Sequence, residues 1–440
     1  IRGTANQWPM TCEMAVSLGR AVAYHALVGE HRHRIVIGKD TRLSCYMMEM
    51  AFASGVCSMG VDVFLVGPMP TPAVAFLTKN MRADAGVMIS ASHNPYQDNG
   101  IKIFARDGFK LPDEIELKLE TLMDDDHVES IRPTKSAVGK AYRVEDARGR
   151  YLSYVKTVLP ESLDFEGLKV VVDCANGAAY QVAPRVLEEM GAEVHAIGVA
   201  PNGRNINLEC GALYPDKLRD HVLESGADIG VALDGDADRL IVVDNKGDVL
   251  DGDCILAIGA QEMLAKGTLK DSTLVSTVMS NMALDKVIDK LGGKVVRTKV
   301  GDRYVVEEMR KGGYSFGGEN SGHLVYLDHA TTGDGLLAAL KLIAVMREAD
   351  APLSEIRKVL QPFPQSLVNV QVATKSPIEE LDSVQKMISD VESKLAGDGR
   401  VMVRYSGTEP KARVLVEGPD AGQTQIWAEE IAQEIGRALA

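Results

Sequence analysis

"LKVVVDCANGAAYQVAPRVLEEMGAEVHAIG", residues 168 to 198, holds one complete folding unit. A short apolar run reads as a buried strand, "DCANG" as a polar turn, "QVAPRVLEEM" as an amphipathic helix, Gly191 as its stop and "AEVHAIG" as a second strand. The same order recurs twice. "RIVIGKDTR" (34–42) leads through a helix-like segment to "SMGVDVFLVG" (58–67), and "STLVSTVMSN" (272–281) leads through "MALDKVIDKL" to "GGKVVRTKVG" (292–301). A strand–helix–strand crossover used three times predicts three related α/β layers with parallel or mixed sheets.

The last part of the chain breaks this pattern. "SLVNVQVAT" from Ser366 reads as a strand, 379–396 as a helix, "RVMVRYSG" and "ARVLVEG" as a strand pair, and 421–438 as a final amphipathic helix. Pro352, Pro362 and Pro364 mark the link before it. The expected architecture is α/β: three related domains with mixed sheets (1–150, 151–250, 251–365) plus a smaller α+β domain (366–440), arranged around a central cleft.

With 45% hydrophobic and 25% charged residues among 440, the chain has the balance of an ordinary globular protein. Its net charge of −14 argues against nucleic acid or an anionic membrane as the main partner, so an anionic substrate needs locally gathered basic groups. The six cysteines are scattered without a CxxC pair, too sparse for a disulfide framework or a zinc site. No apolar run approaches the roughly 18 residues that span a bilayer, and no signal peptide opens the sequence, so the expected compartment is the cytoplasm. The sequence starts at Ile1 rather than Met, so a short preceding segment is expected.

Four polar stretches interrupt the apolar pattern. "ISASHNPYQDNGIKIF" (89–104) ends a strand in two candidate nucleophiles, Ser90 and Ser92, with Lys102 as a candidate proton-transfer group. Pro95 and Asn99–Gly100 read as the turn that returns Lys102. A Ser-His-Asp hydrolase is disfavoured because Ser92 and His93, on an extended chain, point to opposite sides, and no G-x-S-x-G is present. "VALDGDADRLIVVD" (231–244) offers Asp234, Asp236 and Asp238 as hard oxygen ligands for Mg²⁺. An EF-hand is excluded, since Arg239 replaces the required glycine and Asn245 the final glutamate. "FGGENSGHL" (316–324) presents Glu319, Asn320, Ser321 and His323 in a glycine-rich loop suited to sugar hydroxyls. "VRYSGTEPKARVLVEG" (403–418) gathers Arg404, Ser406, Gly407, Thr408 and Arg413 as an anion cradle. No nucleotide-binding glycine motif occurs. A hydroxyl nucleophile, a metal-ligand triad, a hydroxyl-reading loop and a phosphate cradle together predict Mg²⁺-dependent phosphotransfer on a sugar phosphate.

With "IRGTAN" at the start, "DGDADR", "GGENSGH" and "RYSGTEP" in this order, the chain resembles the α-D-phosphohexomutase family over essentially its whole length, and its aminosugar branch most closely. The resemblance implies four domains and a phosphorylated Ser92, with Mg²⁺ held by Asp234, Asp236, Asp238 and a phosphate oxygen on Ser92. It further implies that Glu319 and Ser321 grip sugar hydroxyls and that His323 sits near the reacting end. Arg404, Ser406, Gly407, Thr408 and Arg413 would hold the phosphate not being transferred. Lys102 and Arg2 would lie near the phosphoserine and Arg239 near the metal loop. The implied reaction interconverts glucosamine 6-phosphate and glucosamine 1-phosphate, with a glucose or glucosamine 1,6-bisphosphate as intermediate or activator. It would supply UDP-N-acetylglucosamine and cell-wall synthesis, from an enzyme often found as a homodimer. Asn320, Gly407 and Ser90 are the forms of the aminosugar branch, where mannose and glucose relatives tend to carry Met, Asn and Thr. The expected partner is a small hexosamine phosphate. A mannose or glucose phosphate mutase and a non-catalytic sugar-phosphate binder are the other two readings.

Overall fold

A computed structural model describes residues 1–406 and 410–439. It divides into two units, residues 1–279 with 292–358, and residues 280–291 with 359–440.

The first unit holds three sheets. The first contains β1 (Arg2–Thr4), β2 (Arg34–Lys39), β3 (Asp62–Pro68), β4 (Ala85–Ile89), β5 (Asp98–Ala105) and β6 (Ala141–Arg143), in the order β1-β5-β4-β2-β3-β6. The second contains β7 (Lys169–Asp173), β8 (Glu193–Ile197), β9 (Ile229–Leu233), β10 (Leu240–Asp244) and β11 (Val249–Leu250), in the order β11-β10-β9-β7-β8. The third contains β12 (Thr273–Thr277), β13 (Lys294–Thr298), β14 (Phe316–Gly318) and β15 (Leu324–Tyr326), in the order β13-β12-β14-β15.

One four-strand arrangement runs through all three. A first strand pairs in parallel with a second on one side and a third on the other (β2 with β3 and β4, β7 with β8 and β9, β12 with β13 and β14). The third strand then returns as an antiparallel hairpin: β4–β5, β9–β10 and β14–β15. The crossover is what the sequence shows, because buried parallel strands are continuous apolar runs. β4 and β9 are buried at every residue. In the first domain the helices Cys12–Ala26 and Leu43–Ser58 cover one face, and only glycine permits their approach. A Cβ on Gly19 would lie 2.4 Å from the Phe52 carbonyl oxygen, and one on Gly55 would lie 2.2 Å from that of Val16.

One local expectation changes. Asn99 and Gly100 belong to β5 rather than to a turn, and pair with Gly3 and Arg2 of β1. Asn99 is fully buried, its Nδ2 donating to Ser44 Oγ at 2.8 Å and its Oδ1 accepting from the Gly100 N–H. Those tertiary partners outweigh the turn preference of an Asn-Gly pair.

The second unit is an antiparallel sheet of β16 (Gln365–Gln371), β17 (Arg400–Tyr405) and β18 (Lys411–Glu417), in the order β16-β18-β17. The helices Asp382–Leu395 and Ala421–Ala438 pack on it through Val384, Val391, Ala428, Ile431 and Ile435. The helix Met282–Lys290, which links β12 to β13 in the chain, groups with this unit. Its first turn is fastened by Glu417, whose Oε2 accepts from the Met282 N–H at 3.2 Å, and by Asn281, whose Nδ2 donates to the Phe363 carbonyl at 3.0 Å.

Candidate functional site

The three hairpins of the first unit deliver the three polar stretches. After β4 the chain enters residues 90–97, after β9 residues 234–239, and after β14 residues 319–323. Each stretch occupies the same place in its own four-strand arrangement, so the repeat itself brings equivalent loops together.

Ser90 and Ser92 part company here. Ser90 Oγ donates to Asp40 Oδ2 at 2.6 Å and accepts the Ser92 N–H at 2.9 Å, so it braces the loop. Ser92 has φ +52°, a left-handed backbone that costs a non-glycine residue energy and that its surroundings must hold in place. Its Oγ donates to Asp234 Oδ2 at 2.6 Å. The left-handed turn also overturns the extended-chain expectation for His93, whose Nδ1 lies 3.4 Å from Ser92 Oγ. Burial first, then the guanidinium groups of Arg239 and Arg2, push His93 down to about 4, so its imidazole is neutral at physiological pH.

Sequence reasoning missed the residues that hold this loop. Arg42 is fully buried. Its Nε donates to Asp40 Oδ2 at 2.8 Å, and its terminal nitrogens donate to the carbonyls of Ser92 and Asn94 at 2.8 Å each and of Asp98 at 3.1 Å. Asn207 Nδ2 also donates to the Ser92 carbonyl, at 2.9 Å. The only sequence signal was a charged Asp40-x-Arg42 directly after a buried strand. Gly235 lets the aspartate loop approach, since a Cβ there would sit 2.6 Å from the Ser92 carbonyl oxygen.

The aspartates converge. Ligand atoms of Asp234, Asp236 and Asp238 all lie within 4.8 Å of one another, and the residues are 1%, 0% and 4% exposed. Lys102 Nζ bridges Asp236 Oδ2 at 2.6 Å and Asp238 Oδ2 at 3.0 Å. Burial opposes the lysine's charge, but the two carboxylates outweigh it and raise its pKa above the ordinary value. In this arrangement Lys102 supplies positive charge rather than a basic lone pair. Asp234 is raised by burial and by Asp238 and Asp236, whereas at Asp238 burial is outweighed by Lys102 and His323 and the group is held low. Asp236 Oδ1 and Asp238 Oδ1 are buried without a hydrogen-bond partner among the described residues. Clustered, dry, unpartnered carboxylate oxygens are the donor set that suits a hard divalent cation.

The third loop rests on the second. The Leu240 N–H donates to the Gly322 carbonyl at 2.9 Å, and a Cβ on Gly322 would lie 2.1 Å from the Leu240 carbonyl oxygen. His323 Nε2 accepts the Gly333 N–H at 3.0 Å, which leaves the ring proton on Nδ1, 3.8 Å from Asp238 Oδ1. Glu319 Oε1 accepts the Gly301 N–H at 3.0 Å. Ser321 Oγ is buried with no hydrogen-bond partner among the described residues. Arg239 Nε lies 4.0 Å from Asp238 Oδ1. Arg2 is exposed on β1, and its charge is felt at His93.

In the second unit Arg404 of β17 sits directly opposite Arg413 of β18. Ser406 is buried, its N–H donating to the Lys411 carbonyl at 2.8 Å and its own carbonyl accepting Lys375 Nζ at 2.6 Å. Gly407 and Thr408 lie outside the described residues. No helix among the described residues is long and apolar enough to cross a membrane.

Comparison with known proteins follows this geometry. Family models described as phosphoglucomutase/phosphomannomutase match along the chain: alpha/beta/alpha domain I over residues 1–129, domain II over 149–247, domain III over 251–363 and the C-terminal domain over 367–434. A protein named phosphoglucosamine mutase from Geobacter sp. (strain M21) is 60% identical over 439 residues, covering 100% of this chain and 97% of that relative. One of the same name from Myxococcus xanthus is also 60% identical, covering 100% and 96%. Among solved structures, a phosphoglucomutase/phosphomannomutase family protein from Burkholderia thailandensis superposes with TM-score 0.82 at 24% identity, covering 100% of this chain and 96% of that one. An N-acetylphosphoglucosamine mutase from Aspergillus fumigatus, in complex with GlcNAc-6P and magnesium, gives TM-score 0.64 at 18% identity, covering 97% and 99%. At such identities the two structures speak for the fold alone.

Proposed function

We propose, from the premise that this chain belongs to the phosphoglucomutase/phosphomannomutase family, that it interconverts glucosamine 6-phosphate and glucosamine 1-phosphate. The observation that carries the chemistry is Ser92 Oγ, 3% exposed as a residue and donating at 2.6 Å into a cluster of three buried carboxylates. The choice of sugar rests on relatives named phosphoglucosamine mutase at 58–60% identity over the whole chain.

Ser92 is the phosphoryl carrier. The free sugar hydroxyl bonds to phosphorus as the bond to Ser92 Oγ breaks, the hydroxyl proton ends on Oγ, and a 1,6-bisphosphate results. That intermediate turns around and returns its other phosphate to Ser92. Asp234, Asp236 and Asp238 with a phosphate oxygen on Ser92 would hold Mg²⁺, which offsets the charge of the transferring group. Lys102, Arg2 and Arg239 add fixed positive charge around the same loop. Glu319 and Ser321 read sugar hydroxyls, and His323 directs its Nδ1–H toward Asp238 beside the reacting end. Arg404, Ser406, Gly407, Thr408 and Arg413 hold the phosphate that is not being transferred, so that one anchor serves both orientations. Burial of Ser92 matters because water reaching the phosphoserine would hydrolyse it. We place the enzyme in the cytoplasm, as a homodimer, in the supply of activated aminosugar for cell-wall synthesis.

A coupled assay with glucosamine, glucose and mannose 6-phosphates, with and without Mg²⁺, tests the reading. Preference for glucosamine and dependence on Mg²⁺ are expected; a preference for mannose or glucose overturns the choice of sugar, and binding without turnover by phosphorylated protein overturns the enzyme.

A further inference from the structure

Outside the catalytic loops, the described residues hold one more group with metal-ligand geometry: His31, His33 and Asp84. It lies at the other end of the first sheet. Asp84 precedes β4 whereas Ser92 follows it, and His33 precedes β2 whereas Asp40 follows it. With β2 six residues long, the two ends are separated by about 20 Å.

The donor atoms are already close. His31 Nε2 is 2.7 Å from Asp84 Oδ1, and His33 Nδ1 is 3.4 Å from Asp84 Oδ2. Metal–ligand bonds of about 2.0–2.1 Å at tetrahedral angles put neighbouring donors about 3.3 Å apart, so small movements would seat a cation. The imidazole rings are tilted toward each other with centroids 4.2 Å apart. Asp84 is pinned by its backbone: Oδ2 accepts the Arg34 N–H at 3.0 Å, and the Asp84 N–H donates to the Arg34 carbonyl at 2.9 Å. The nearby cations are engaged elsewhere, Arg32 with Asp62 and Arg34 over the Phe64 ring at 5.6 Å.

A hydrogen-bonded His31–Asp84 pair would account for His31 alone. It leaves His33 unexplained: the residue is 9% exposed, and its Nδ1 is buried, aimed at the carboxylate and without a hydrogen-bond partner among the described residues. A buried ring nitrogen that makes no hydrogen bond is costly, and a metal ion would satisfy it.

We propose that His31 Nε2, His33 Nδ1 and one carboxylate oxygen of Asp84 form a structural site for a borderline transition metal, Zn²⁺ foremost, that staples the segment before β2 to the start of β4. Two imidazoles and a carboxylate suit Zn²⁺, Co²⁺ or Ni²⁺ and not Mg²⁺, so the site is chemically orthogonal to the all-oxygen aspartate loop. His31 is half-exposed and leaves a fourth position to water. The sequence carries the signal as His31-x-His33, two ligands of the same chain edge two residues apart.

The test is titration of the full chain with Co²⁺ in millimolar Mg²⁺, followed by its visible absorption, and with Zn²⁺, followed by calorimetry and melting temperature. One equivalent of nitrogen-ligated Co²⁺ is expected, with a melting temperature raised by Zn²⁺ and Mg²⁺-supported turnover unchanged. His31→Ala and His33→Ala should each weaken Co²⁺ binding by more than about 100-fold, beyond the roughly 10–100-fold typical of losing an outer-shell partner. The exposed position of His31 keeps that variant folded even if His33→Ala is not. Equal Co²⁺ binding by wild type and His31→Ala, or no Co²⁺ bound in the presence of Mg²⁺, overturns the site.

Discussion

The hairpin loops of the first unit and the β17–β18 strand pair of the second handle charge in opposite ways. In the first, three aspartates and Ser92 are buried, and bonds of 2.6–3.0 Å tie them to one another and to the partly buried Lys102. In the second, two arginines face each other across paired strands and Arg404 is exposed. The contrast follows from the two tasks. Breaking a P–O bond needs a dry site whose groups are already fixed in place. If the second pair holds the phosphate that is not transferred, it must bind and release a dianion, a task for guanidinium groups within reach of solvent.

The largest effect expected from breaking this contrast is at its reacting atom. Ser92→Ala should lower turnover on the order of 10⁴-fold or more, because the phosphoryl group loses its carrier. Intact mass should show no phosphorylated species in that variant. Ser90→Ala should keep the phosphate and lose only a brace, so a phosphate found on Ser90 would reverse the assignment. Next comes the residue beneath. Arg42→Met leaves Asp40 buried without its cation and removes the contacts to the carbonyls of Ser92, Asn94 and Asp98. Destabilisation of about 3–5 kcal/mol is expected, read from urea unfolding. A loss below about 1 kcal/mol would mean that the loop holds itself.

Much of this was legible in the sequence, and what was not has a physical reason. The βα crossovers show because strand, helix and glycine stop each have a local pattern. Ser90 and Ser92 could not be separated by pattern, since the choice depends on Asp40 and Asp234, fifty and 142 positions away. Asn99–Gly100 was read as a turn because local propensity knows nothing of β1 or Ser44. The extended chain assumed for Ser92–His93 in setting aside a Ser-His-Asp hydrolase fails at one left-handed residue, which puts the imidazole beside the hydroxyl. Arg42 and Asn207 went unnoticed for the same reason: their partners are carbonyls of a distant loop. The facing of Arg404 and Arg413 depends on register, which the two strand patterns alone do not state.

The two units also bury single carboxylates differently. Glu417 of the second meets the Arg400 guanidinium at 2.8 and 3.1 Å. Asp334 of the first has a neutral partner, Tyr151, whose hydroxyl lies 2.9 Å from both carboxylate oxygens, and burial pushes it up to about 6. A folded-state pKa above the unfolded 3.8 means that the folded protein prefers the proton. The stabilisation is therefore full below pH 4 and lost as pH rises through 6, by roughly 3 kcal/mol in all. Asp334→Asn keeps an oxygen for the Leu337 N–H and removes the titration. The unfolding free energies of wild type and variant should diverge across pH 4–7, the variant gaining on the wild type as pH rises. Parallel curves would mean that Asp334 titrates as an ordinary acid.

The smallest effect is the most diagnostic of the contrast. Arg404→Met removes one of two facing guanidinium groups at an exposed position, so the stability of the sheet should change by less than about 0.5 kcal/mol. If the pair exists to hold the non-transferred phosphate, KM for the sugar phosphate should rise about 10–100-fold with a smaller change in kcat. Arg404→Lys should recover only part of this, because an ammonium restores the charge without the two-pronged geometry. A variant of unchanged stability that binds substrate worse would identify an arginine kept for its ligand. A variant destabilised with KM unchanged would return both arginines to the sheet.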